Sequence, residues 1–390
     1  MECNILDELR KHIFIVIGEE HYTPLGAIRS LGEEGIYPIA IILKSDRGRV
    51  ASLSKYIKKL YLVDSYTDSL AILDKYKNEV YKSVVIPCDD IIVDFLDNHY
   101  ELLKDNFIID NAAGQTGRIA HFEKKAVLCD LAIRNGVKVA KTWIVKRGDI
   151  PKDISYPVIT KPGASYEGWK QDYFVCRNEE ELLEAYKKIK GQDLLLQQYI
   201  KKKNELCLDG FAINNGRDVY ITISSNYTYV LPDYYSMEMI ISNFKDIKLQ
   251  ESLNKMFLEI GYNGIFSIEF LVDEDDNRWF LEINFRNSTW SYASTKLGMN
   301  LPVLWASGMI MGMLPVDVIK SIPNGYKAMA EIPDFEHRVR RFHMLTFKEW
   351  IKEMKSCDCL FYFNKSDVKP YINVWKNKVI NVITKKIWRC

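Results

Sequence analysis

The sequence predicts an α/β chain: an open parallel sheet at the start, antiparallel sheets after it, and a mixed extension at the end. Two observations carry this. The first third alternates short, wholly apolar runs with helical segments, the pattern of strands buried on both faces. The second part holds strand pairs joined by polar turns. The clearest is Ile265–Val272 and Trp279–Asn284, joined by the acidic turn Asp273–Arg278.

Ile13–Ile17 is the first apolar run, and Gly18-Glu19-Glu20 turns it into a helix over Thr23–Glu34 that Gly35 stops. Strands follow at Ile39–Leu43, Lys59–Val63 and Val84–Pro87, with a helix near Thr67–Lys77. Sheets of this kind bind ligands beyond the carboxyl ends of their strands. Gly18-Glu19 and Cys88-Asp89-Asp90 lie at such ends, although capping the next helix is the simplest role for Asp90. No GxGxxG follows Ile17, so dinucleotide binding is not indicated.

A helix is expected over Phe122–Asn135, ended by Gly136, with Lys124 and Lys125 in its first turn, where lysine opposes the helix dipole. Strands at Ala140–Val145 and Tyr156–Pro162 follow, the second carrying Lys161 near its end. Residues 163–168 (GASYEG) form a small-residue loop before the strand Asp172–Cys176. Such a loop can offer backbone N–H groups to a phosphate, yet small-residue turns are common. The chain holds no GxxxxGK[ST]. After a helix over Glu179–Lys190, the strand Leu194–Tyr199 runs into Ile200 and a polar bend ending at Glu205. Unpaired backbone groups at such a bend can take an adenine edge, with Glu205 placed for ribose hydroxyls. Strands Leu206–Ala212 and Val219–Ser225 pair antiparallel, and the aromatic stretch Tyr227–Tyr235 reads as a loop over a site. A helix at Leu249–Ile260 leads into the hairpin; another begins near Pro302, and Cys359–Phe363 reads as a strand.

In the hairpin, Glu269 and Glu282 each sit inside an apolar run, and Glu282, Asn284 and Arg286 share one strand face. Two carboxylates and an amide oxygen in apolar company are costly unless a cation satisfies them. An all-oxygen set suits magnesium bound together with substrate phosphates. The plain alternative is a pair of solvent-facing glutamates.

Composition narrows the classes. Net charge is +1, with 47% hydrophobic and 27% charged residues, so nothing calls for nucleic acid or an anionic membrane. From Leu314 onward Lys and Arg outnumber Asp and Glu by 15 to 8, and Arg338, Arg340 and Arg341 cluster. A solvated basic face is the ordinary reading, an anionic partner the sharper one. The 8 cysteines are scattered without a CxxC pair, and no zinc site or disulfide framework is indicated. No signal peptide opens the chain, and Pro302 and Pro315 break the uncharged run Leu297–Val316, so no membrane span and a cytoplasmic setting are expected.

Together these pieces resemble the ATP-grasp superfamily, of the carboxylate–amine ligase type that includes D-aspartate ligases and carbamoyl-phosphate-synthase-like members. The resemblance covers roughly residues 13–313 and is most specific at EFL…LEINFR, 269–286. It implies an N-terminal pre-ATP-grasp domain over 1–115. It also implies an ATP-grasp domain over 116–313, with a lid lobe at about 140–200 and a catalytic lobe at about 201–313. A C-terminal extension would span 314–390. It further implies ATP and Mg²⁺ as cofactors. Lys125 and Lys161 would hold phosphates, with Lys124 the alternative to Lys125, and Ser165 would lie in the phosphate loop. Gln197, Gln198, Tyr199 and Ile200 would form the adenine hinge, Gln198 and Ile200 through backbone, and Glu205 would bind ribose. Glu269, Glu282 and Asn284 would hold Mg²⁺, and Arg286 would meet the acyl phosphate or the substrate carboxylate. Arg286, Asn284 and Lys161 would be the catalytic set. The partners implied are a small-molecule carboxylate and an amine, such as an amino acid, a peptide or a cell-envelope precursor. At the family level a homodimer is implied. The loop 163–168 is poorer in glycine than the family's usual version, Ser267 stands where some ligases carry arginine, and Phe285 replaces proline before Arg286.

Overall fold

The computed structural model describes residues 2–45, 48–162, 172–231 and 235–387. The first sheet contains β1 (Phe14–Glu19), β2 (Ile39–Leu43), β3 (Lys59–Val63), β4 (Ser83–Pro87) and β5 (Phe107–Ile108). All are parallel, in the order β3-β2-β1-β4-β5. The order reverses between β1 and β4, which opens a crevice at their carboxyl ends. The two ends approach closely: a Cβ on Gly18 would lie 3.0 Å from the Cβ of Cys88. Helices Tyr22–Glu33 and Asp90–Asn98 begin directly after these two strands.

The short strand β6 (Asn111–Ala112) leads away from this sheet. The second sheet holds β7 (Thr142–Lys146), β8 (Val158–Pro162), β9 (Val175–Cys176) and β10 (Asp193–Gln198). It is antiparallel, in the order β7-β10-β8-β9. Leu182, Ala185 and Tyr186 of the helix Glu179–Lys188 pack on its Val158, Leu194 and Leu196. The third sheet is built from β11 (Asn204–Ile213), β12 (Asp218–Tyr227), β13 (Glu238–Ser242), β14 (Tyr262–Val272), β15 (Arg278–Asn284), β16 (Lys327–Met329) and β17 (Cys359–Leu360). Its order is β15-β14-β11-β12-β13-β16-β17, and β6 pairs with β14 off this path. Among the described residues no helix is long and apolar enough to cross a membrane.

Three local readings change. The helix expected over Phe122–Asn135 is two helices, Arg118–Glu123 and Lys125–Arg134. Lys124 adopts an extended backbone (ψ 116°) that ends one and caps the other. The strand expected at Cys359–Phe363 stops at Leu360. Side chains take over the backbone groups beyond it: the buried Glu331 carboxylate accepts from the N–H groups of Phe361 and Tyr362 (both 3.1 Å) and Phe363 (2.5 Å). Arg29, also buried, donates to Phe361 O (2.8 Å), Tyr362 O (3.0 Å) and Asp367 O (2.8 Å). The cluster of three arginines is not an open basic face either. Arg338 is buried in a π-helix, Phe335–Arg341, and pairs with Asp334 (3.0 Å), Glu238 (2.9 Å) and Glu353 (2.6 Å). Arg340 pairs with Glu336 at 3.2 Å.

Arg29 therefore ties the first α/β layer to the C-terminal segment. Its Nε lies 3.0 Å from Asp367 Oδ2, and both side chains are 0% exposed. Removing one partner strands a buried charge. Asp367→Ala should lower unfolding stability by about 3–5 kcal/mol, read from denaturant unfolding. Lys44→Ala, which breaks an exposed pair with Asp64, should leave stability unchanged. Equal small effects would contradict the clamp.

Candidate active site

The hairpin of β14 and β15 sets two acids face to face. The strands pair in the register Glu269↔Glu282 and Ser267↔Asn284, with an irregularity after Glu269. Alternation explains the placement on β14, and on β15 the bulge at Leu281 puts Phe280 on the same face as Ile283. Ile268, Phe270, Phe280 and Ile283 are buried in one apolar cluster with Phe257 and Met256 of the helix Ile247–Ile260. Their neighbours Glu269 and Glu282 take the other face. Cys207 of β11 lies opposite Glu269 from the other side. Glu269 is half-buried and Glu282 exposed. Burial, then the charges of Glu282 and Glu205, push Glu269 up to about 8.

A polar chain leads from this pair to the first sheet. Asn284 Nδ2 donates to Glu269 Oε1 at 3.1 Å. Arg286 Nη2 donates to Asn284 Oδ1 at 3.2 Å, and its Nε donates to Asp90 Oδ1 at 2.6 Å. The helix after β4 is capped by Asp89, which accepts from Ile92 N at 3.0 Å. Capping was the role read for Asp90. The extended backbone of Asp89 makes Asp89 the cap and leaves Asp90 for Arg286.

Lys161 lies in the field of Glu282, with Lys125 beside it, each from another element. Lys161, near the end of β8, donates to Gln197 Oε1 at 2.5 Å, and Gln197 Nε2 donates to Thr142 Oγ1 at 2.9 Å. Lys125 opens the helix Lys125–Arg134. Burial, and then the nearby charge of Lys125, lower Lys161 to about 7, while Glu282 acts the other way. Lys124 is exposed, and Lys125 is the neighbour whose charge bears on Lys161.

The bend after β10 has its own geometry. Gln198 N donates to Lys141 O (2.8 Å) and Tyr199 N to Pro157 O (3.0 Å). The Ile200 N–H has no hydrogen-bond partner among the described residues. Glu205 is buried and accepts from Tyr227 Oη (2.6 Å) and Lys202 Nζ (2.8 Å). Tyr235 lies in the field of Glu269, Glu205 and Glu282. Ser165 and the loop 163–168 lie outside the described residues.

A cavity of about 790 Å³ opens beside Arg286, at the crevice between β1 and β4. Its walls include Glu19, His21, Arg49 and Asp90, with Glu336 and Lys378 from the C-terminal segment. Its size is that of a small-molecule site. Among the described residues no three His, Cys, Asp or Glu side chains form a metal cage by themselves. One or two carboxylates suffice for magnesium where substrate phosphates complete its shell.

No family model matches the chain. It is similar to the 2-oxoglutarate carboxylase small subunit of Hydrogenobacter thermophilus, 24% identical over 66% of this chain and 58% of that protein. It is also similar to N5-carboxyaminoimidazole ribonucleotide synthase of Staphylococcus aureus, 26% identical over 38% of this chain and 40% of that one. The matched regions thus span less than two thirds of these relatives. The solved structure of the S. aureus enzyme superposes with a TM-score of 0.61 at 18% identity, covering 85% of this chain and 86% of that chain. An L-amino acid ligase from Bacillus licheniformis superposes at 0.56 and 14% identity, covering 76% and 74%. The chain has the ATP-grasp fold.

Two contacts at this candidate site are not legible in the sequence. Asp90 binds Arg286, and the Gln197 side chain bonds Lys161 and Thr142. The doublet Asp89-Asp90 was the available signal for the first, since only one of two adjacent acids can cap. Lys161 yields a direct test. In ¹³C-dimethyl-lysine NMR of the nucleotide-free protein, one lysine should titrate near pH 7, and Lys125→Met should move it upward. A Lys161 signal at the ordinary lysine value would contradict the arrangement.

Proposed function

We propose that this chain is an ATP-dependent, ADP-forming ligase that activates a carboxylate as an acyl phosphate for attack by an amine. One observation carries the reading: Glu269, opposite Glu282 in the hairpin, is linked through Asn284 to Arg286 at the wall of a small-molecule cavity, while Glu282 acts on Lys161 beside Lys125. The names of the similar proteins point the same way, toward a carboxylase, a synthase and an amino acid ligase. The B. licheniformis enzyme is named as joining amino acids, and the related H. thermophilus domain was solved with MgADP and bicarbonate.

In this reading residues 1–115 form the pre-domain, 116–313 the ATP-grasp domain with lobes at 140–200 and 201–313, and 314–390 the extension. Lys125 and Lys161 hold phosphates, and entry of phosphate charge restores Lys161 to its cationic form. Gln198 O and the unpartnered Ile200 N–H meet the adenine edge, and Glu205 the ribose. Glu269, Glu282 and Asn284 hold Mg²⁺, which neutralises developing phosphate charge when bound. Arg286, fixed by Asp90, steadies the acyl phosphate or its parent carboxylate. A carboxylate oxygen attacks the γ-phosphorus and the β–γ bridging oxygen leaves with ADP. The amine nitrogen then attacks the acyl carbon, phosphate leaves with its bonding pair, and the nitrogen loses a proton. The partners are small molecules, and the working unit is taken as a homodimer in the cytoplasm. A biotin-carboxylase-like reaction with bicarbonate is the second reading, favoured by the H. thermophilus relative.

An ADP-release screen over acids and amines tests the proposal. Turnover should need one of each, and hydroxylamine should trap a hydroxamate. Glu282→Ala should lower the rate by about 100-fold or more, since loss of a partner behind a metal ligand already costs about 10–100-fold. Full activity in that variant would sink the site assignment. Release that depends on bicarbonate without an amine would favour the second reading.

A further inference from the structure

The charges around the cavity are not all compensated. Arg286 is paired with Asp90, and Lys378 Nζ lies 2.7 Å from Glu336 Oε1. Arg49 has no carboxylate partner among the described residues, and Glu19 has no cationic one. Both are exposed, and both line this cavity.

Arg49 is also held. Its Nε donates to Ser52 Oγ at 2.9 Å and its Nη2 to Ser52 O at 3.3 Å. Ser52 is in turn fixed by the buried carboxylate of Glu20, which accepts from Ser52 Oγ, from Ser52 N (3.2 Å) and from Val50 N (2.7 Å). From the other side, Asn373 Nδ2 of the C-terminal helix donates to Arg49 O at 2.8 Å. The turn that carries Arg49 is thus held from both sides. Its second terminal nitrogen, Nη1, makes no bond among the described residues. A guanidinium with free donors matches a carboxylate.

We propose that Arg49 reads a carboxylate on the amine substrate, and that this substrate is a small amino-carboxylate whose ammonium lies toward Glu19. The assignment rests on the ligase reading, since it names the second substrate of that site. The amine is offered from the side of Glu19 and His21 toward Arg286, which lines the same cavity and is linked through Asn284 to Glu269. A neutral or purely cationic amine leaves Arg49 uncompensated and binds less well. Arg49 is thus a specificity-determining residue, and its effect falls on the amine substrate rather than on the nucleotide.

Isothermal titration of the full chain tests this in two arms. The first titrates Mg-AMPPNP, which reports on the nucleotide site alone. The second titrates the standard amino acids and their decarboxylated amines, with and without Mg-AMPPNP. At least one amino acid should bind about tenfold or more tightly than its amine, the value of a charge-assisted contact. Arg49→Met should shrink that preference to less than about twofold and leave Mg-AMPPNP affinity unchanged. Arg49→Lys should keep part of it, which loss of folding alone would not produce. Absence of amino acid binding in the parent protein, or a preference that survives in Arg49→Met, would overturn the assignment. Failure of Mg-AMPPNP to bind, beside an intact Arg49-dependent preference, would instead remove the ligase reading and leave the amino-carboxylate site standing.

Discussion

Glu269 and Glu282 stand opposite each other in register, and much of the site is arranged around that repulsion. Like charges directly opposite destabilise a strand pair, yet the apolar residues between them lock the register. Sliding β15 by one residue would send Phe280 and Ile283 to the cleft and both faces would fail. The protein meets the cost locally, through Asn284 on Glu269 and through Arg286 beyond it. What remains is a half-buried carboxyl pushed up to about 8, a group that gains from a cation. The lysine pair on the opposite elements has the mirror-image strain, with Lys161 brought down to about 7 by burial and by Lys125. An anionic phosphate chain and a divalent cation arriving together would relieve both.

The second constraint is mechanical. Arg286 binds Asp90 at the end of β4, so the hairpin's polar chain ends on the first sheet. Arg29 and Glu331 capture the segment after Leu360 through its backbone groups. That segment, with the π-helix Phe335–Arg341, supplies one wall of the cavity. Inserted residues of this kind recur at functional sites, and here the π-helix brings Glu336 to the wall while burying Arg338. A buried ion pair thus holds the cavity wall closed against the crevice of the parallel sheet.

The legible parts of the sequence were those governed by periodicity. The parallel strands β1, β2 and β4 showed as apolar runs, and the hairpin as alternation with an acidic turn. The same-face reading of Glu282, Asn284 and Arg286 follows from that alternation and agrees with the Arg286–Asn284 bond. What stayed hidden depends on single dihedrals or on distant partners. One extended residue, Lys124, splits a helix whose composition is continuous. The backbone of Asp89, not its identity, decides which of two aspartates caps. Beyond Leu360 the strand ends because Arg29, more than 300 positions away, competes for its carbonyls. Arg338 read as part of a basic run because two of its three acidic partners, Glu238 and Glu353, come from distant elements. One end of the cavity was legible, since Glu19 and Asp89-Asp90 lie at the carboxyl ends of parallel strands; its other walls were not, because Glu336 and Lys378 come from the far end of the chain.

Crystals grown with MnADP would test the central claim most directly, with manganese as an anomalous stand-in for magnesium. The account predicts an anomalous peak bridging Glu269 and Glu282 at about 2.0–2.3 Å from their carboxylate oxygens, with Asn284 Oδ1 in its shell and Lys161 on the phosphates. Bound ADP with the metal elsewhere, or with the two glutamates still turned to solvent, would contradict it.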